Sequence, residues 1–222
     1  MPVLQQGLIV HEWPQDMRLA VDALGSDQAM TLISVPTPDT TSRLLARERI
    51  RAALQETLTL YLGQPAPPIR LVSNPGQGIE VCAPYSHLQL SLSHMPTISV
   101  AAIRRCGAIG VDVMQVDPSV EAMAEWERVA LDYLGPAVTN SLLRAPAAQR
   151  PAVFSQAWTR LEACLKCLGL ALVEWTPTLA HQLATCRIKT LTLPENCRGA
   201  VAIKGGFKSE VQLRDHAVVA AP

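Results

Sequence analysis

Leu88-Gln89-Leu90-Ser91-Leu92-Ser93-His94 alternates leucines with polar residues without a break. A period of two over this length marks a β-strand with one buried face, the leucine side. Two further buried strands are expected next, at Ile98–Ile103 and Ala108–Met114. Upstream, strand-like runs occur at Gly7–Trp13, Met30–Val35, Ile69–Ser73 and Ile79–Cys82, and downstream at Ile188–Thr192, Ala200–Ile203 and Val211–Leu213. Helical pattern interrupts these strands. A long helix is expected from Arg43 to Leu62, opened by Asp39-Thr40-Thr41-Ser42 and closed by Gly63 and Pro65. Others are expected at Val120–Leu134 and, after a Pro/Ala-rich connector at Ala145–Pro151, at Ala152–Leu168. Strands mixed with long helices, without strict alternation, indicate an α+β chain.

Composition narrows the function. Hydrophobic residues make up 49% of the 222 and charged residues 17%, below the usual share of about 25%, which excludes a disordered chain. Nineteen basic residues balance nineteen acidic ones, so no global field favours nucleic acid as a partner. The apolar run Leu8-Ile9-Val10 stops at His11-Glu12 with no basic segment before it, and no stretch approaches the length of a membrane span. Cys82, Cys106, Cys164, Cys167, Cys186 and Cys197 are ordinary usage for a reduced protein of this length. A cytoplasmic protein, with no membrane partner, is expected.

Four segments carry candidate chemistry. On the helix from Ala152, Phe154, Trp158 and Leu165 form an apolar stripe, with Glu162 and Lys166 about 40° and 80° round from Trp158. Such a pair is either an i,i+4 salt bridge on a solvated shoulder or a half-buried acid and cation facing a cleft, suited to a metal ion and a phosphate. Arg43, Arg47 and Arg51 recur every four residues and share a face with Ile50, Leu54, Leu58 and Tyr61, whereas Arg49 lies opposite. Their guanidiniums either snorkel at the core's edge or wait as forked donors for an anion. His94 ends the alternating strand and is either a structural hydrogen-bonder or a catalytic group. Asp112 interrupts the apolar Gly110-Val111-Asp112-Val113, where a carboxylate must be paired, hydrogen-bonded or metal-bound.

Gly110-Val111-Asp112, followed fifty positions later by Glu162 in Trp158-Thr159-Arg160-Leu161-Glu162-Ala163-Cys164-Leu165-Lys166, resembles the paired signature of 4′-phosphopantetheinyl transferases of the surfactin-synthetase type. Leu90-Ser91-Leu92-Ser93-His94 resembles that family's Asn-Leu-Ser-His-Ser motif, and the Arg-rich helix ending Tyr61-Leu62-Gly63 is similar to the family's. The resemblance implies two similar halves, 1–105 and 106–222, in a pseudo-twofold arrangement with the active site between them. It implies a monomeric enzyme that moves the 4′-phosphopantetheine of coenzyme A to a serine of an apo acyl or peptidyl carrier protein, releasing adenosine 3′,5′-bisphosphate. Asp112 and Glu162 would be the magnesium ligands, and Glu162, directly or through a metal-bound water, would take the serine proton. Lys166 would hold the pyrophosphate. His94, Arg47 and Arg51 would meet the phosphates of coenzyme A, Arg51 being the better match of the two arginines.

The chain departs from the family pattern at Met114, where many relatives carry a third acidic ligand, and at Leu161, where they carry Lys. It departs also at Ser91 and Met95 within the histidine motif, and at Gly76-Gln77-Gly78 in place of a Gly-Lys-Pro turn. These changes suit a second reading, a degenerate relative that binds coenzyme A or a carrier without turnover. A third reading, a thiol or zinc protein built on Cys164-Leu165-Lys166-Cys167, lacks two closely spaced further ligands and a helix N-terminus.

Overall fold

The computed structural model describes residues 7–38, 42–63, 67–73, 78–117 and 125–205. In chain order the elements are β1 (His11–Glu12), α1 (Met17–Gly25), β2 (Met30–Pro36), α2 (Arg43–Leu62), β3 (Leu71–Ser73), β4 (Ile79–Val81), β5 (Gln89–Met95), β6 (Ile98–Arg104) and β7 (Ile109–Gln115). Then come α3 (Trp126–Val129), a π turn at Ala130–Leu134, α4 (Pro136–Arg144), a 3-10 turn at Ala147–Gln149, α5 (Arg150–Leu168), α6 (Pro177–Leu183), β8 (Cys186–Thr190) and β9 (Cys197–Lys204). The mixture is α+β.

Six strands form one sheet in the order β1-β2-β6-β5-β4-β3, and three form a second in the order β7-β9-β8. A common order runs through both. In β2-β6-β5, as in β7-β9-β8, the strand before a long helix sits beside the last strand of the group, which pairs in turn with the one before it. All these pairings are antiparallel.

Both faces of the larger sheet are covered. Ile33, Val35, Leu90, Ala101 and Ile103 pack with Ile50, Ala53, Leu54 and Leu58 of α2 and Ala20 and Leu24 of α1. On the opposite face, Met30, Leu32, Val100 and Ala102 meet Val111, Val113, Val201 and Ile203 of the smaller sheet. Ser91 lies opposite Ala102, and Ser93 opposite Val100, in the β5–β6 register. Cross-strand partners share a face, so both serines point into this layer between the sheets. The one-faced strand expected from the leucine alternation is therefore buried on both sides: Ser91 and Ser93 are 7% and 6% exposed.

α5 lies on the smaller sheet, where Ala163, Cys164 and Cys167 touch Ala200 and Ala202. Its approach to β7 depends on Gly110. A Cβ there would collide with the Ala163 carbonyl oxygen and the Cys167 amide. The other flank of α5, through Leu161 and Leu165, joins Trp126, Leu134, Leu142 and Leu179 in a helical core.

Several boundaries differ from the expectations. The strand expected at Gly7–Trp13 reduces to β1 and an isolated bridge from Leu8 to Leu191 of the second half, where Leu8 and Val10 join the layer between the sheets. α1 and α6 were not expected. α6 carries its own start signal, Thr176 accepting from the Leu179 amide with Pro177 next. The expected Val120–Leu134 helix is described only from α3 onward, and α4 extends the helical segment beyond it. Ser42 caps α2 by accepting from the Leu45 amide, and Gly63, with φ 69°, ends it. Asp39, Thr40, Thr41, Pro65, Gln77 and the Val211–Leu213 strand lie outside the described residues.

Candidate active site

The site forms where β5 of the first sheet meets β7 of the second. β4 pairs with β5 only through Glu80 and Gln89, so the edge of β5 beyond Gln89 is open to β7 and α5. β7 is itself an edge strand, and its outward amides need acceptors. Two serine hydroxyls supply them. Ser91 Oγ accepts from the Val111 amide at 3.0 Å and Ser93 Oγ from the Val113 amide at 3.1 Å. Ser93 then donates its own proton to Asp112 Oδ1 at 2.8 Å.

Asp112, 8% exposed, faces α5 from the middle of β7. Lys166 Nζ lies 2.7 Å from its Oδ1, and also donates to the Val111 carbonyl at 3.1 Å and the Leu92 carbonyl at 3.4 Å. The ammonium thus spends its three protons on both halves of the chain. Among the described residues no donor reaches Asp112 Oδ2. The partner of Lys166 is Asp112, not Glu162, so the reading of an i,i+4 Glu–Lys surface pair is overturned. Glu162, half-buried one turn before Lys166, has no hydrogen bond or ion pair among the described residues. Burial raises its carboxyl above the ordinary value, the negative charge of Asp112 raises it further, and Lys166 opposes both. The two carboxylates are therefore close enough to repel.

His94 lies opposite Ser99 in the β5–β6 register, on the α2 side of the sheet. Its Nδ1 pairs with Ser99 Oγ at 2.8 Å. Burial, then the positive charges of Arg47, Arg43 and Lys166, push the imidazole down to about 4. The ring is neutral at physiological pH, in a surrounding that favours anions. Arg43 and Arg47 are exposed, and Arg51, one turn further along α2, is half-buried. Arg43 rather than Arg51 joins Arg47 as a leading influence on the ring.

The departures from the family pattern have places too. Leu161 is buried among the helices, and Arg160 beside it is exposed. Met114, half-buried, follows Asp112 by two along β7 and so shares its face. Cys186 sits against Cys164 and Cys167, a neighbourhood that sequence spacing does not suggest. Burial and that neighbour push both helix thiols up to about 12, so they remain protonated and unreactive. Among the described residues no group of three or more His, Cys, Asp or Glu side chains could hold a metal ion, and no helix is long and apolar enough to cross a membrane. Ser93 and Ser99 are the polar partners that residue-by-residue reading missed. The signal for Ser93 was its spacing of two from Ser91 on the polar face of β5.

Two carboxylates and a lysine beside a cationic face suit a transferase acting on a phosphorylated substrate. Residues 108–218, half of the chain, match the 4′-phosphopantetheinyl transferase superfamily. The chain belongs to that superfamily, and its general role is the transfer of phosphopantetheine. Comparison with curated proteins gave no match.

Proposed function

We propose that this protein transfers the 4′-phosphopantetheine of coenzyme A to a serine hydroxyl of an apo acyl or peptidyl carrier protein, in a magnesium-dependent reaction that releases adenosine 3′,5′-bisphosphate. The observation that carries this reading is the juxtaposition of Asp112 and Glu162, close enough for one to raise the other, with Lys166 bonded to Asp112 and its charge felt by both Glu162 and His94. The residues present fit magnesium, which takes oxygen donors and only one or two carboxylates. Asp112 and Glu162 would hold the ion, and their mutual repulsion is what a divalent cation relieves. When bound, the ion supplies charge neutralisation of the pyrophosphate and orientation of its β-phosphorus.

The chain's own groups do the rest. Glu162 takes the serine proton, directly or through a water, as the oxygen–phosphorus bond forms. The bond to the departing bisphosphate breaks in the same displacement. Lys166 turns its ammonium to the pyrophosphate, and His94, Arg47 and Arg51 receive the phosphates of the nucleotide. Positioning and charge stabilisation account for most of the rate. The strand order shared by β2-β6-β5 and β7-β9-β8 supports a pseudo-twofold relation between halves 1–105 and 106–222, with the site between them. We propose further that the protein works as a cytoplasmic monomer.

A second reading has its own support. Leu161 is committed to the helical core, and Met114 offers no carboxylate on the Asp112 face. On that reading the chain binds coenzyme A or a carrier protein without turnover. Incubation with coenzyme A, magnesium and several apo carrier proteins, followed by weighing each carrier by mass spectrometry, separates the two. A gain of one phosphopantetheine, abolished by a chelator, is expected. Coenzyme A binding without gain would favour the second reading, and neither gain nor binding would overturn both.

A further inference from the structure

We infer that Ser93 is a positioning residue for Asp112, reaching across the seam between the sheets to fix the carboxylate's orientation toward a divalent ion. This rests on the proposed role of Asp112 as a metal ligand. Ser93 is 6% exposed, and its hydroxyl is tied to β7 on both its donor and its acceptor side: it accepts from the Val113 amide at 3.1 Å and donates to Asp112 Oδ1 at 2.8 Å. A hydroxyl held by its acceptor side has its proton direction set, so the carboxylate it serves is held in one rotamer. Lys166 meets the same oxygen, Oδ1. Ser93 keeps Oδ1 occupied even when Lys166 turns to the pyrophosphate, which leaves Oδ2 as the oxygen open for a metal, in an orientation the backbone of the neighbouring strand dictates. Outer groups of this kind orient ligating carboxylates in metal sites, and their loss typically lowers metal affinity or activity by about 10–100-fold.

Ser91 provides an internal control. It makes the same type of bond to the same strand, from its hydroxyl to the Val111 amide at 3.0 Å, and does not touch Asp112. Loss of Ser91 therefore reports the cost of opening the seam, and loss of Ser93 that cost plus the release of the carboxylate.

The test is Mn²⁺ binding to the full chain in the presence of coenzyme A, followed by electron paramagnetic resonance, together with thermal unfolding. Ser93→Ala is expected to weaken Mn²⁺ binding by about 10–100-fold, whereas Ser91→Ala lowers the unfolding temperature and leaves Mn²⁺ affinity within about threefold of the parent. Ser93→Thr, which keeps the hydroxyl, should restore affinity. Ser93→Cys, of similar shape with a weaker donor, should fall between, and carries the test if Ser93→Ala does not fold. Equal Mn²⁺ affinity in the parent and the Ser93 variants, or equal losses for Ser91→Ala and Ser93→Ala, would overturn the positioning role while leaving the metal site standing. A parent protein that takes up no Mn²⁺ with coenzyme A present would overturn the metal-site reading and this inference with it.

Discussion

α2 and α5 hold corresponding places in the two strand orders, yet they are loaded with opposite chemistry. α2 packs Ile50, Leu54 and Leu58 onto its sheet and leaves Arg43 and Arg47 exposed near His94. α5 is drawn tight against β7 by Gly110, so that Glu162 and Lys166 stand beside the buried Asp112. A long cationic helix at the rim can meet phosphates without desolvating much. Glu162, by contrast, is half-buried, and that burial together with the charge of Asp112 raises its carboxyl. On the proposed function, this difference in depth divides the labour: affinity from α2, chemistry from α5.

Kinetics should expose that division most strongly. Asp112→Asn keeps the side chain's shape and is expected to lower turnover by about 10³-fold or more, the loss of several kcal/mol of charge stabilisation, with coenzyme A affinity little changed. Arg47→Ala should do the reverse, raising the apparent KM for coenzyme A about tenfold, as for one charge-assisted bond, at near-parental turnover. Steady-state kinetics against coenzyme A measures both, and variants that lose kcat and KM alike would break the comparison. A second contrast lies in acid stability. His94 is depressed from 6.5 to about 4, so the unfolded chain takes up its proton first as pH falls. The stability it contributes is present above about pH 6.5 and is lost toward pH 4, with a slope of up to one proton. Denaturant unfolding across that window should show this slope, and His94→Gln should flatten it. The smallest effect is opposite in sign. Glu162 is raised, so its contribution is favourable below the ordinary 4.5 and is lost as pH rises through the folded value. Glu162→Gln should therefore lift the unfolding temperature by about 1–3 °C near neutral pH, with no gain in acid and with turnover lost. A thermal scan at two pH values checks it.

Much of this was legible because single residues violate their surroundings. Asp112 stands out in an apolar strand, and the arginines of α2 stand out beside leucines, since periodicity makes each an exception. The long helices and central strands were legible for the same reason. What sequence reading missed depends on which surface covers a face. The serines of β5 look solvent-facing by alternation, but the second sheet covers them and makes their hydroxyls structural. The partner of Lys166 is another case: an i,i+4 acid is the near neighbour along the helix, yet the tight approach at Gly110 brings Asp112 closer. Cys186 joins Cys164 and Cys167 by strand pairing that no local spacing encodes. α1 escaped notice because only Ala20 and Leu24 are buried on it.

The Lys166 ammonium is bound to Leu92 in one half of the chain and to Val111 and Asp112 in the other. An anion that draws it outward must first undo a fastening between the halves. If Lys166 holds the pyrophosphate as proposed, substrate arrival and relaxation of the junction form one thermodynamic event, and the free energy of undoing that fastening is subtracted from the affinity with which the phosphate is held.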